Sequence, residues 1–566
     1  MRGEGERSRS GRGAWLALAL ALIPLAVLAA RVPAELANES AVGDLASFEI
    51  GVLESTRGER LIGQPARFGF HQVGPGHFWL QVPLYVLSGR ASWALSLTTL
   101  LIGWAALLGI AWAAVWWFES RATLVALPFV AAAYARFYEP GTLFNPWCQF
   151  SIVLPAAWLV LVAAAIVAGR RRCWPLLLAL SSFVVQGYGS TLPAVVLVCG
   201  AAALFDLGRA VQARRRRPSD RLGGATVLAT AAVLALFWSR PLIDAITGSP
   251  SNLEQIISHY AAPSPERGAS AVDLRESFAR HLGGMVAGLF EDVRGNRPYP
   301  LAGAALAWSE RGAAAWLVLV GLSVAFAVRR RWRFSAATGA LCLLSLAGAA
   351  SAARSLDGAL YPYLFLWLSG VAAVGWLLAA GTTLHVAGEA LARLRPGLVP
   401  AWSRERLSIV SAVALALAVV LRPPAIPHLG DTVAKRLADD VGRELVGRGP
   451  DIPARLVLHD LAWIWGLPVL VELDHRGRRA TVANVQNGVE VPELQGLQSR
   501  WMQDVPGHVE LHLAFAEGES APGWKERYER VSCHPCSALD AGGREICLYV
   551  PRWARASRIV SALLPW

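Results

Sequence analysis

The sequence predicts an α-helical polytopic membrane protein with a small α/β domain at its C-terminal end, and three observations predict it. Of 566 residues, 54% are hydrophobic and the mean hydropathy is +0.41, too apolar for a soluble enzyme of this length. Apolar runs approaching the roughly 20 residues that a helix needs to cross the hydrocarbon core recur between residues 14 and 421. Arginines cluster after the second, fourth, sixth, eighth and tenth runs, while the odd-numbered runs are followed by carboxylates, histidines and the longest polar stretches. That alternation is the positive-inside pattern, and it assigns any chemistry to the non-cytoplasmic face.

Residues 1–13 form a basic cytoplasmic tail with Arg2, Arg7, Arg9 and Arg12. The run 14–30 ends in small residues, so a cleaved signal peptide and an uncleaved first span both fit; the ten apolar runs that follow favour the span. A first outer loop covers 31–91. Span two, 93–117, returns inside at Arg121. Span three, 123–135, is short, and span four, 150–168, ends at Arg170, Arg171 and Arg172. Hydropathy leaves 175–205 open. Arginines before it, and Arg214 to Arg217 after it, belong on one side, so the stretch passes twice with a break at Gln186 to Ser190. Span seven, 224–238, leads to an outer loop reaching 311, and span eight, 313–328, ends at Arg329, Arg330, Arg331 and Arg333. Spans nine and ten, 334–353 and 364–380, flank a turn with Arg354 and Asp357; span eleven, 408–421, exits after Arg404 and Arg406. Eleven spans over 14–421 leave 422–566 outside. There helical patterns cover 431–446 and 461–475, and strand-like runs cover 455–459, 479–483, 508–515 and 546–550, a small extracytoplasmic α/β domain.

The net charge of +12 sits largely in cytoplasmic arginines facing anionic lipid headgroups, so it is not a nucleic-acid signal. Cys148, Cys173, Cys199 and Cys342 lie in or beside apolar runs as small core residues. Cys533 and Cys536 form a CHPC string, with Cys547 nearby. Zinc needs a second pair of ligands, and only His534 and Cys547 are close; an external location favours a structural disulfide among the three cysteines.

The first outer loop is the densest candidate site. Asp44 and Glu49 lie just beyond span one, and five helical residues would set them about 140° apart. They would then not share one ligand shell: one could face a cavity while the other braces the loop, or both could be solvated acids on an external helix. Arg67, His71 and His77 are interleaved with Phe68, Phe70, Phe78 and Trp79. Basic and aromatic groups at a membrane surface suit an anionic lipid headgroup with its chain alongside, or else form an ordinary aromatic belt. Glu139 is a possible second acid, Asp244 an interface helix cap, and His459 with Asp460 a pair at a strand end.

The run RFGFHQVGPGHFWLQVPLYVLSG, 67–89, resembles the element after the first outer loop of bacterial GT-C class glycosyltransferases. That superfamily includes the protein mannosyltransferases and the lipid A aminoarabinose transferase. LFNPWCQFSIVLP (143–155), FVVQGYGSTLP (183–193), FWSRPLIDAITGSPSNLEQI (237–256) and LYPYLFLWL (360–368) fit related GT-C-like membrane proteins, in the same order. The resemblance covers much of the membrane region and not the C-terminal domain. It implies a GT-C-like fold, an inner-membrane location and transfer of a hexose or pentose from a polyprenyl-phosphate donor to an extracytoplasmic glycan, lipid or protein. The family's acid near the end of the first span matches Asp44 best and Glu49 second, as general base. The phosphate would be held by positive charge, with Arg67, His71, His77 and Arg354 as candidates. A divalent metal is compatible with the class, but the metal-ligand pattern of some relatives is not evident and no cofactor is assigned. A lipid-linked glycan transporter or flippase, and a non-catalytic envelope assembly protein on the same scaffold, are the alternatives. Span centres almost free of ionisable groups speak against a transport path.

Overall fold

The computed structural model describes residues 23–395, apart from 67, 139, 215–222, 263, 265–266, 269, 292, 294–300, 302 and 359. Beyond these it describes 407, 409–410, 413, 426, 430–446, 454–459, 462–478, 480–486, 489–491, 509–515, 528–535 and 545–551. Strand β1 (Ser40–Ala41) leads into α1 (Asp44–Thr56), α2 (Gly76–Leu87) and α3 (Trp93–Trp116). Next come α4 (Ala122–Tyr138), α5 (Cys148–Ser151), α6 (Val153–Val167), α7 (Trp174–Gly187), α8 (Leu192–Arg214) and α9 (Gly224–Thr247). Helices α10 (Asn252–Ala261), α11 (Ala271–Ala287), α12 (Gly303–Arg329), α13 (Arg333–Arg354) and α14 (Leu366–Leu394) follow. The C-terminal part holds β2 (Gly430–Asp431), α15 (Val433–Val446), β3 (Ala454–His459), α16 (Trp463–His475), β4 (Ala480–Gln486), β5 (Val489–Val491), β6 (Val509–Phe515), β7 (Tyr528–Pro535) and β8 (Glu545–Pro551). The chain forms two compact units, one of Met1–Arg31, Gln72–His77 and Thr99–Ala425, the other of Val32–His71, Phe78–Thr98 and Ile426–Trp566.

The chain is a multi-pass membrane protein. Among the described residues, seven helical stretches are long and apolar enough to cross a membrane: Trp93–Trp116, Cys148–Val167, Gly189–Gln212, Gly224–Thr247, Gly303–Arg329, Arg333–Arg354 and Pro362–Leu394. Helix α4 is apolar but has only 17 residues, and α7 has 14. The expected break in 175–205 is where α7 ends: Tyr188 is extended, and a single tight turn over Gly189–Thr191 starts α8. Three helices outrun the apolar segments that announced them. Helix α9 continues past 238 through Arg240 and Pro241 to Thr247, α12 begins at Gly303 instead of 313, and α14 runs to Leu394 instead of 380. Charged residues near helix ends can stay at the interface on long stems, so the helix and its apolar core need not coincide. The loop after α9 is not irregular. Ser251 and Glu254 form a reciprocal capping box on α10, and Ser270 caps α11 by accepting from the Asp273 N–H. Of span one, 23–36 is helical and 14–22 lies outside the described residues, as does most of span eleven.

The second unit centres on a six-stranded sheet of order β5-β4-β3-β6-β8-β7. Strands β4, β3 and β6 are parallel and the other pairings antiparallel. Parallel β3 and β4 need a crossover connection, and α16 supplies it. Alternation places Leu456, Leu458, Leu511, Leu513, Ile546 and Leu548 in one core with Leu437 and Val441 of α15, Leu467 and Leu470 of α16, and Phe48 and Val52 of α1. The expected C-terminal helices and four expected strands are present; β5 and β7 are edge strands that patterning did not announce. Cys533 of β7 and Cys547 of β8 are joined by a disulfide, and Cys536 lies outside the described residues.

Candidate functional site

Helix α1 carries both first-loop acids. It starts after Gly43, whose φ of +56° is a left-handed conformation suited to glycine. Asp44 is its first residue, half-buried, with no side-chain cap beside it from Gly43. A helix N-terminus stabilises negative charge. Glu49 is buried on another face of the same helix. Tyr85 Oη of α2 donates to its carboxylate at 2.9 Å, and Ser92 Oγ donates at 2.8 Å. Burial pushes the Glu49 carboxyl up to about 7, against the lowering effect of the Ser92 and Tyr85 bonds. Tyr85 Oη also lies 3.0 Å from His475 Nε2 at the end of α16. With the tyrosine proton committed to Glu49, His475 Nε2 carries the hydrogen of that second bond.

A buried ion pair missed in the sequence stands one turn further on. Glu54 Oε2 accepts from Arg60 Nη1 at 3.0 Å, and both side chains are buried. Arg60 also donates to the Ile62 carbonyl at 3.0 Å and the Gly63 carbonyl at 2.6 Å, and lies 5.2 Å over the Phe78 ring. The chain beyond it closes a small turn. Pro65 and His71 form an isolated antiparallel bridge, the Ala66 N–H donates to the Phe70 carbonyl at 2.7 Å, and Gly69 turns the backbone with φ +80°. His71 is half-buried there and Phe68 stacks on Phe70 at 5.9 Å. Arg67 lies outside the described residues.

In the other unit, Gln72–His77 is threaded through polar contacts with the helices. The Gly76 N–H donates to Gln186 Oε1 at 3.0 Å, Gln186 Nε2 donates to the Phe237 carbonyl at 2.7 Å, and the Gly189 N–H donates to Gln72 Oε1 at 2.7 Å. These bonds use the polar break between α7 and α8, which is why glutamine and glycine interrupt an apolar run. His77 is buried, stacked on Phe183 at 5.1 Å, with Ser151 Oγ 3.1 Å from Nε2. Burial pushes its pKa down to about 4, against the Pro146 carbonyl. A neutral imidazole held this way supplies hydrogen bonds but no charge. Asp244 Oδ2 accepts from the Asn252 N–H at 2.9 Å, at the first residue of α10. Arg354 ends α13, exposed, beside a turn where Arg267 Nε and His259 Nε2 lie 3.3 and 3.1 Å from the Asp357 carboxylate.

Of the sequence-derived candidates, Asp44, Glu49 and His71 belong to the unit with the sheet, and His77 and Arg354 to the other. Glu139 and Asp460 lie outside the described residues. On the sheet, His459 Nε2 is 2.7 Å from His512 Nδ1, and His512 Nε2 is 2.8 Å from Glu510 Oε1. No group of three or more His, Cys, Asp or Glu that could hold a metal occurs among the described residues.

The helical membrane body with its small C-terminal sheet domain is a GT-C-like fold. Its likeness is to a crystal structure of ArnT from Cupriavidus metallidurans bound to undecaprenyl phosphate. The TM-score is 0.53 at 14% sequence identity, covering 94% of this chain and 97% of that one. The apo structure of the same ArnT aligns with a TM-score of 0.49 at 13% identity, over 96% of this chain and 98% of that one. No protein-family model and no curated protein matches the chain.

Proposed function

We propose that this protein is a glycosyltransferase of the inner membrane, moving a sugar from a polyprenyl-phosphate donor to a glycan, lipid or protein acceptor on the non-cytoplasmic side. The observation that carries the reading is the match in fold, along nearly the whole chain, to an ArnT captured with undecaprenyl phosphate. The alternating arginines support the orientation, with the N-terminus and the arginine-rich loops inside.

Asp44 is the base in this reading. It stands half-buried at a helix start, whereas Glu49 is enclosed by Tyr85 and Ser92. The Asp44 carboxylate takes the proton of an acceptor hydroxyl as that oxygen bonds to the anomeric carbon. The bond from that carbon to the phosphate oxygen breaks, and its electron pair leaves on the polyprenyl phosphate. Positive charge must hold the phosphate as it departs, a role for Arg67, His71 or Arg354. Glu49 braces α1 against α2.

The test is Asp44→Asn in the full-length protein, in membranes supplied with radiolabelled undecaprenyl-phosphate hexoses and pentoses. Transfer is expected to fall by roughly 10²-fold or more, the scale of a lost general base, with undecaprenyl phosphate still bound. Transfer near the wild-type rate would end the assignment of Asp44. No transfer by the wild-type protein, with lipid-linked glycan accumulating on the inner leaflet of a deletion strain, would favour a flippase.

A further inference from the structure

Within the unit that holds the sheet, one turn at the end of α16 reaches three separate parts of the first loop. Glu472 Oε1 accepts from Ser40 Oγ at 2.6 Å, ahead of α1. Asp474 takes both its oxygens to Arg57 Nη2, at 2.9 and 2.7 Å, just past the end of α1. His475 meets Tyr85, the tyrosine bonded to Glu49 in the middle of α1. The start of the helix is tied again by backbone alone. Ser40 and Ala41 pair with Asp431 and Gly430, and the Gly43 N–H donates to the Ile464 carbonyl at 2.9 Å.

We infer that the C-terminal domain is a positioning device for the acid-bearing helix, and that Glu472, Asp474 and His475 set where Asp44 stands. The inference rests on the reading of Asp44 as the base. Energetics separate positioning from simple stabilisation. Arg57 and Asp474 are partly exposed, with side-chain accessibilities of 30% and 16%, and pairs of that kind contribute little to stability. Their placement is what counts. Thirteen residues make α1 about 18 Å long between its first and last Cα. A tilt of about 3° at the Arg57 end therefore moves Asp44 by about 1 Å, and a misplacement of that size can cost on the order of 10²-fold in rate. Attachments before, within and after the helix fix its tilt and rotation together, which a single attachment could not do. Tyr85 and His475 are positioning residues in this scheme, acting on the reaction only through α1.

The experiment uses the full-length protein in nanodiscs, with Asp474→Asn, Glu472→Gln, Tyr85→Phe and the exchanged pair Arg57→Asp with Asp474→Arg. Amide hydrogen exchange is followed over 44–56, with undecaprenyl phosphate as the binding probe and radiolabelled undecaprenyl-phosphate sugars for turnover. Expected for Asp474→Asn are exchange faster by about twofold to fivefold in 44–56 and kcat lower by about tenfold to 10²-fold. The affinity for undecaprenyl phosphate stays within about twofold, and the exchanged pair restores protection and kcat. Unchanged exchange in 44–56, or unchanged kcat beside a loosened helix, overturns the inference. So does loosened exchange across the whole β3–β8 sheet, because the turn would then only hold its own domain together. Failure of the catalytic reading looks different: Asp44→Asn would be silent while the Asp474 variants still loosen α1 and the exchanged pair still tightens it.

Discussion

Replacing Glu49 by glutamine should remove a pH dependence that the wild-type first loop carries. Burial lifts the Glu49 carboxyl from an ordinary 4.5 to about 7. In the closed loop it therefore holds its proton between those values, while in an opened loop it has lost it. The closed state binds more protons in that window, so its stability falls as pH rises. The contribution is fully present below 4.5 and lost by about 7. A shift of 2.5 units is worth about 3 kcal/mol, or an opening equilibrium larger by about 300-fold above pH 7 than below pH 4.5. Glutamine keeps the hydrogen-bonding shape toward Tyr85 and Ser92 and cannot ionise. Amide exchange over 44–56 and 76–87, corrected for intrinsic rates, measures the opening at pH 5 and pH 8, within which most of that change falls. His475 also titrates near this network, its pKa lowered by burial, but it is common to both proteins and cancels in the comparison. From pH 5 to pH 8 the wild type should gain opening relative to Glu49→Gln, in which only the opposite and smaller trend of His475 remains. Equal slopes in the two proteins would show that the buried carboxyl does not govern the loop.

Three further outcomes follow from contacts in the structure. Glu54→Ala leaves Arg60 buried without its counter-charge and should cost about 3–5 kcal/mol locally; protease cleavage within 57–71 should accelerate steeply, and unchanged cleavage would contradict the pair's burial. A methyl group on Gly76 would sit 2.6 Å from Gln186 Oε1 and 2.7 Å from the Phe237 ring, so Gly76→Ala should cost about 1–3 kcal/mol, read as a lower thermal midpoint in detergent. Cys533 and Cys547 close a loop with a sequence separation of 14, so paired alanines should destabilise the sheet by about 3 kcal/mol, seen as faster amide exchange in β7 and β8.

Much of the membrane region was legible because hydropathy and arginine placement obey one solvent. The break at Gln186 to Ser190, resolved by charge alone, is where α7 ends and α8 begins. What hydropathy could not give was helix length, since α9, α12 and α14 each run on through charged residues such as Arg240, Glu310 and Arg393. In the C-terminal domain, alternation found the central strands, whose inward residues are apolar. It missed β7, where YERVSCHP offers no such alternation. The site was less legible for a different reason. Tyr85, Ser92 and His475 gather around Glu49 from positions up to several hundred residues apart, and nothing local in the sequence marks a partner brought in by tertiary folding.

The spacing of Asp44 and Glu49 nevertheless carried a physical consequence. Five positions on a helix turn one side chain about 140° from the other, so the two acids meet different surroundings, although residues 46–54 of the helix are buried on every side. Asp44 is half-buried at the helix start while Glu49 is enclosed. Glu49, with a pKa raised to about 7 by burial, accepts hydrogen bonds from Tyr85 and Ser92 inside the packed unit. The acid at the helix N-terminus stands in a field that favours negative charge. On the proposed reading, Asp44 is the group that reacts and Glu49 the group that holds its helix in place, and the two contrasted variants, Asp44→Asn and Glu49→Gln, separate those roles.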